Sequence, residues 1–172
     1  MLRSTSGVAG CERGELRVVG CELYGELARR ALAINMQHTT HNTHTPMSRI
    51  DSFEDLECWQ ACRDLRRLVK QTIVPVLPTD ERYRLADQII RSSRSTTANI
   101  AEGYGRRHYL DNAKFIRNSL GSLHETLDHA ITAHDEDLIS DTMLLEFRAH
   151  FEKAVALTRG YAAYLQRQAK SQ

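Results

Sequence analysis

The sequence predicts an all-α protein: an antiparallel up-down four-helix bundle that follows a disordered N-terminal extension. Two observations lead to this fold class. From Asp51 onward, apolar residues recur at intervals of three and four, and prolines, glycines and an acidic run divide this stretch into four segments with short connections. Spacing that alternates between three and four is typical of the seam along which bundle helices pack. The pattern of a β-strand is not found in any of the four segments.

The first 46 residues have a different composition from the rest of the chain. They carry five glycines and end in a polar run from Gln37 to Pro46 that cannot bury a core. Such a stretch is typical of a disordered extension. The alternative is upstream sequence translated from a start codon assigned too early, which peptides from before Met47 in the native protein would contradict. We therefore expect the bundle domain over residues 47–172.

The helix boundaries follow from capping and breaking residues. Ser52 with Asp55 resembles a capping box, so the first helix is expected from there to about Thr72, ahead of Pro75 and Pro78. Thr79, which Asp80 and Glu81 follow, is predicted to start the second helix, because acids are favoured in the first turn of a helix. We expect Gly103 and Gly105 to end this helix, because glycine accepts a left-handed turn.

The remaining two helices are bounded by an acidic run. The third is expected from about Asp111 and is interrupted at residues 135–137. The fourth is expected to start near Ser140 or Asp141.

Composition excludes several classes of protein. Lys and Arg total 23 against 22 Asp and Glu, so bulk positive charge cannot hold this chain on nucleic acid. No window approaches the roughly 18 consecutive apolar residues of a membrane-spanning helix, so no membrane association is expected. Four cysteines without a dense spacing pattern indicate the reducing cytoplasm.

Charge is unevenly distributed within the domain. Residues 82–107 carry six arginines and only two acids, whereas residues 133–152 carry six acids and one arginine. Arginine favours bidentate contact with phosphate or carboxylate. A solvated helix face with ion pairs is the simpler interpretation, and a docking face for nucleic acid or protein is the alternative. The candidate contact residues are Arg84, Arg91, Arg94, Arg106 and Arg107.

Apolar residues exceed what one seam per helix requires. On the fourth helix they form a second stripe beside the main one. On the first helix, Trp59 and Ile73 lie off the main apolar line. Surplus apolar surface usually marks a contact between subunits, with a broader core as the alternative. The candidate oligomer contacts are Trp59, Leu157, Tyr161 and Tyr164.

No catalytic residue, metal site or cofactor site is predicted. His124 and His129 are five residues apart, whereas two histidines that bind zinc from one helix face are four apart. His38, His41 and His44 are interpreted as incidental polar composition, and Cys58 and Cys62 as buried hydrophobes on the seam.

The glycines at the end of the second helix invite comparison with a phosphate-binding loop. That fingerprint needs a preceding strand and a third glycine, and this run has neither. We therefore predict a structural role for Asn99, Glu102, Gly103 and Gly105, and we expect Arg106 and Arg107 to meet the carbonyl end of that helix or an external anion.

Four segments resemble one known family. The run from Asn99 to Arg106, the triplet Asp87-Gln88-Ile89 and the run from Gly121 to Glu125 are similar to the four-helix bundle family of 23S ribosomal RNA intervening-sequence proteins. The opening from Phe53 to Gln60 is similar too, and the resemblance covers about residues 50–167. The family often has proline where this chain has Thr97, so the local bend of the second helix is expected to differ.

The resemblance implies a small bacterial bundle without established catalytic activity. Some members of the family are encoded inside insertions in ribosomal RNA genes. Together with the arginines and the surplus apolar stripes, this predicts a homo-oligomer, with a pentamer among the expected forms, and an RNA or nucleoprotein partner. A similar group serves as accessory subunits of diversity-generating retroelements, where a ring of five bundles holds a reverse transcriptase. That group is markedly basic, whereas residues 47–172 carry 18 cations and 18 acids, so the match to that role is weaker. The remaining alternative is a protein-binding module without a nucleic-acid role.

Overall fold

The computed structural model describes residues 50–171, which fold into four α-helices. We number them in chain order: α1 Glu57–Leu68, α2 Leu85–Gly105, α3 Tyr109–Asp135 and α4 Asp141–Lys170. Successive helices pack against each other and α1 also packs against α4, which closes an up-down bundle. The predicted fold class is confirmed, and no helix in this part of the chain is apolar enough over sufficient length to cross a membrane. The predicted extension over residues 1–46 and the start at Met47 lie outside the described residues.

Large apolar side chains fill the centre of the bundle because each helix turns its periodic stripe inward. All four helices contribute side chains that are at most 1% exposed, among them Leu65, Ile89, Ile100, Ile116, Leu123, Phe147 and Leu165. Within this core, α2 and α3 form the most extensive helix pair and α1 and α2 the least extensive one.

Small hydroxyl side chains, rather than large apolar ones, line much of the contact between α2 and α3. We call this contact the hydroxyl seam. Residues later in α2 meet residues earlier in α3, so the seam runs antiparallel. Three bonds cross it: Thr126 Oγ1 to Ser92 Oγ at 3.0 Å, Ser122 Oγ to Ser95 Oγ at 3.0 Å, and Ser119 Oγ to the Thr96 carbonyl oxygen at 2.8 Å.

The first helix is shorter than predicted. Its α-helical part ends at Leu68 and continues as a π-helical turn over Val69–Ile73 and a 3-10 turn over Val74–Val76. The Val74 amide donates to the Val69 carbonyl, five residues back. Pro75 explains this widening, because its ring clashes with the carbonyl four residues earlier in a regular α-helix.

The second helix begins later than Thr79, so that prediction is wrong. Residues Thr79–Tyr83 form a separate 3-10 turn, and α2 starts at Leu85. The Leu85 amide donates to Glu81 Oε2 at 3.2 Å, so an acid from the preceding turn satisfies one of the free amides of the first turn of α2.

Local capping predicted the other starts well. Ser140 caps α4 and its Oγ accepts a hydrogen bond from the Met143 amide at 3.3 Å. Ser52 forms the expected capping box with Asp55, although it caps a 3-10 turn over Phe53–Asp55 rather than α1 itself. The third helix starts at Tyr109, two residues before the expected position.

Candidate functional site

The five arginines predicted to contact nucleic acid or a partner all have exposed side chains. Three of them are paired with an acid about one turn earlier: Arg84 with Glu81 at 3.6 Å, Arg91 with Asp87 at 3.7 Å and Arg106 with Glu102 at 2.7 Å. Among residues 50–171, no carboxylate lies within 4.0 Å of Arg94 or Arg107. Arg94 and Arg107 therefore keep their full charge available for a ligand.

Arg94 lies on the edge of a groove between α1 and α2. We call it the α1–α2 groove; it has a volume of about 650 Å³. Three further cations line it, all from the C-terminal half of α1 and the turn that follows: Arg66, Arg67 and Lys70. Sequence reasoning missed these three residues. The available signal was the density of cations in residues 63–70, where four stand against one acid.

The floor of the α1–α2 groove is apolar and its lining contains no carboxylate among the described residues. Val69 and Ile90 form part of the floor together with the small side chains of Ala98 and Ala101. Because α2 presents small residues here, α1 and α2 leave open space between them. The groove therefore combines an apolar floor with a rim of four positive charges.

One cation of the rim is held in place. Arg66 Nη1 donates a hydrogen bond to Thr97 Oγ1 at 2.9 Å, and the Thr97 side chain is buried between the helices. Thr97 stands where the resembled family often has proline, which has no hydroxyl to accept this bond. The guanidinium of Arg66 is consequently oriented across the groove before any ligand arrives.

Trp59 and Phe53 also line the groove. The two rings meet edge to face with centroids 5.3 Å apart, and the guanidinium of Arg63 lies 5.7 Å from the Trp59 ring centre. Trp59 is only 9% exposed and Ile73 is 1% exposed. The expectation that these two residues lie outside the core is wrong, because the core of this bundle is broader than one stripe per helix.

The other predicted oligomer contacts form a patch on α4, which we call the α4 patch. It consists of Leu157, Tyr161 and Tyr164, at positions i, i+4 and i+7 of one helix face. The Tyr161 and Tyr164 rings stack with centroids 6.2 Å apart, and Tyr164 is 43% exposed. The Tyr161 hydroxyl accepts a hydrogen bond from Asn112 Nδ2 at 3.1 Å, and burial raises the pKa of Tyr161. The outer part of this patch is free to contact another molecule.

The motif residues Asn99 and Glu102 make contacts within α2 and the residues just after it. Asn99 Nδ2 donates to the Ser95 carbonyl at 2.8 Å and to Ser95 Oγ at 3.0 Å, and Glu102 pairs with Arg106. Arg106 also lies over the Phe115 ring of α3, with its guanidinium carbon 5.1 Å from the ring centre.

Of the two motif glycines, Gly105 ends α2 as predicted, but neither makes the left-handed turn that was expected of a glycine there. Neither has a positive φ, and the left-handed residue at the turn is Arg107, with φ 55°. Gly103 lies inside α2 at a place that α3 approaches closely, so a side chain there would have little room. A Cβ at Gly103 would stand 2.6 Å from Asn112 Oδ1 and 2.9 Å from Phe115 Cβ, whereas one at Gly105 would meet nothing within 4 Å.

An acidic surface lies at the connection between α3 and α4, which we call the acidic turn. It comprises the exposed residues Asp135, Glu136, Asp137 and Asp141. His134 Nε2 lies 2.6 Å from Asp141 Oδ1, and this hydrogen bond raises the pKa of His134. Four of the six acids in residues 133–152 are thus grouped at one end of the bundle, and the other two lie further along α4.

The other candidate ligands and nucleophiles are dispersed. Burial raises the pKa of the Cys58 thiol to about 12 and also raises that of Cys62, whose Sγ lies 3.8 Å from Thr158 Oγ1. Across residues 50–171, no three His, Cys, Asp or Glu side chains are grouped so that they would hold a metal ion. His124 meets the Phe151 ring edge to face and His129 lies 3.9 Å from Glu125, while His38, His41 and His44 lie outside the described residues.

Fold and surface together define a class of protein: a small antiparallel four-helix bundle whose distinctive features are a cationic groove, an apolar patch and an acidic turn. A family model described as 23S rRNA-intervening sequence protein matches residues 54–160, which span α1 to α3 and two thirds of α4. The chain belongs to this family, as the motif resemblance predicted. A search of curated proteins finds no match.

Proposed function

We propose that this chain is a cytoplasmic, non-enzymatic, RNA-associated accessory protein that works as a self-associated bundle. The family's name connects its members with intervening sequences of 23S ribosomal RNA, which supports RNA as the partner. The observation that carries the proposal is the rim of the α1–α2 groove, where four cations lie without a carboxylate in the lining. Clustered cations of this kind bind phosphates and release counterions from them.

RNA binding is tested by a change of charge on the predicted arginines. The full chain is titrated into labelled RNA at several salt concentrations, beside a variant with Glu at Arg91, Arg94, Arg106 and Arg107. We expect weaker binding and a flatter salt dependence for the variant, because phosphate contacts are lost. Arg94→Glu alone should produce a larger effect than Arg91→Glu, because Arg94 lines the α1–α2 groove whereas Arg91 does not and pairs with Asp87. Unchanged RNA binding by the fourfold variant would remove these arginines from the proposed contact surface.

Self-association is supported by the α4 patch and by other exposed apolar side chains. Leu110 is 59% exposed and Val76 is 51% exposed, in addition to Tyr164. The similar accessory subunits of retroelements form a ring of five, so a pentamer is one form that this multimer would take. Light scattering at micromolar concentration should show a multimer that Tyr164→Glu weakens. A monomer under these conditions would contradict this part of the proposal.

The acidic turn favours a second candidate function, a protein-binding module without a nucleic-acid role. The carboxylates of the acidic turn are opposite in charge to the five predicted contact arginines. The acidic turn of one copy would therefore contact the cations of a neighbouring copy. Native protein that purifies free of nucleic acid, and whose multimers dissociate at high salt, would favour this alternative. An accessory role at a reverse transcriptase is a special case of the first proposal, and co-purification with a polymerase would support it.

A further inference from the structure

We propose that the α1–α2 groove is a binding site for single-stranded RNA, with phosphates on its cationic rim and unpaired bases on its apolar floor. This inference rests on the proposed RNA-associated function and names the form of RNA that the site accepts. It assigns a role to three residues that the sequence motifs do not include: Arg66, Arg67 and Lys70.

The rim is suited to a phosphate backbone. Arg66, Arg67 and Lys70 follow one face of α1 and its π-helical turn, and Arg94 faces them from α2. No ion pair with a described acid neutralises any of the four. The bond from Arg66 to Thr97 holds one guanidinium in place, so less side-chain entropy is lost when a phosphate binds.

The floor distinguishes a single strand from a duplex. A duplex presents phosphates and sugars outward and keeps its base faces stacked inside, so it cannot fill a concave apolar surface. Unpaired bases expose flat faces that pack against apolar and aromatic side chains. The accessible part of the floor around Ile90, Ala98 and Ala101 offers such a surface next to the cations. At about 650 Å³ the groove is the size of a small-molecule site, which suits a short stretch of nucleotides.

The acidic turn of a second copy fits this groove less well. It supplies carboxylates for the rim, but its own apolar side chains are already engaged. Ile139 is 5% exposed and Leu138 is half-buried against the core of its own bundle. A protruding acidic turn would therefore leave the floor uncovered, whereas unpaired bases would cover it.

Trp59 provides a reporter located at the site. It is the single tryptophan of the chain and lines the groove, so its fluorescence comes from this place alone. Titration of the full chain with a short oligouridine should change Trp59 emission in a saturable way. The same titration followed by anisotropy of a labelled oligouridine should give the same dissociation constant. An equally long adenine–uracil duplex should bind more weakly and leave Trp59 emission unchanged.

Three variants separate charge from shape. Arg67→Glu combined with Arg94→Glu reverses two rim charges, and Lys153→Glu combined with Arg159→Glu reverses two exposed charges on α4 as the matched control. Four phosphate contacts to a single strand predict that log affinity falls with log salt at a slope of about −2.8, and two contacts predict about −1.4. The rim variant should therefore show the flatter slope and lose affinity by roughly tenfold for each charge-assisted contact removed. The control variant should keep the parent slope.

Ala101→Leu fills the floor without any change of charge. It should weaken oligouridine binding and leave duplex binding and the helical circular dichroism unchanged. Equal affinity for duplex and single strand, with no effect of Ala101→Leu, would overturn the inference while the RNA-associated function stands. A chain that binds neither form of RNA would overturn both. RNA-free multimers that only the rim variant dissociates, with no Trp59 response to RNA, would instead assign the groove to a second copy.

Discussion

Gly103 provides the sharpest test of how α2 and α3 pack. In Gly103→Ala the new Cβ would lie 2.6 Å from Asn112 Oδ1 and 2.9 Å from Phe115 Cβ. The amide of Asn112 can rotate, but the Phe115 Cβ is fixed to the backbone of α3, so the two helices must separate. Overpacking of this kind costs about 1–3 kcal/mol, and alanine in a helix recovers about 1 kcal/mol relative to glycine. We expect a net loss of up to about 2 kcal/mol in the free energy of unfolding.

Two other glycines serve as controls because they share the helical context without the contact. A Cβ at Gly121 in α3 or at Gly160 in α4 would meet nothing within 4 Å. Gly121→Ala and Gly160→Ala should therefore stabilise the chain by about 0.5–1 kcal/mol each. Urea unfolding followed by far-ultraviolet circular dichroism measures all three variants against the parent. A Gly103→Ala variant that gains stability like the controls would refute the close approach of α2 and α3.

Three further predictions concern single side chains. Burial raises the pKa of Cys58 to about 12, so peptide mapping after alkylation at about pH 8 should find Cys58 unmodified in native protein and modified after unfolding; rapid native labelling would contradict this. The hydrogen bond to Asp141 raises the pKa of His134, so this contact stabilises the fold fully below the ordinary imidazole pKa of 6.5 and is lost as pH rises through the folded-state value. His134→Gln should therefore lower the urea midpoint at about pH 5 and leave it unchanged at about pH 9, and equal losses at both would refute the assignment. Thr97→Val removes the acceptor of Arg66 and should weaken oligouridine binding several-fold without loss of helix content, whereas unchanged affinity would show that this hydrogen bond does not prepare the site.

Features that depend on one helical turn could be predicted from the sequence, and features that depend on two helices could not. Ser140 was identifiable as the start of α4 because a cap involves only the next three residues. Gly103 was misinterpreted because its position suits a helix end, while its actual requirement comes from Phe115 on another helix. The boundaries near Pro75 were only approximate, because proline can be accommodated by a π-helical turn as well as by a helix end.

The α1–α2 groove shows the same limit for a site. Arg94 was recognised on its own helix, but its neighbours across the groove lie more than twenty residues earlier in the chain. Charge counting also could not separate paired from unpaired arginines. Arg91 and Arg94 are both among the predicted contact residues, yet of these two only Arg91 has a carboxylate within 4.0 Å among residues 50–171. Such distinctions need side-chain positions, which spacing along one helix does not supply.

The hydroxyl seam has a consequence for how the bundle can vary. Hydrogen bonds have direction, so a slide of α2 along α3 by one residue would separate Ser92 from Thr126 and take the Thr96 carbonyl away from the buried Ser119 hydroxyl. Apolar interfaces tolerate such a shift far better, because contacts between hydrocarbon groups have no preferred angle. The hydrogen bonds therefore fix the position of α2 along α3. Larger side chains at Ser92 or Ser119 would force the two helices apart. New binding preferences in this bundle would have to arise on its outward faces, where side chains can change without any effect on the hydroxyl seam.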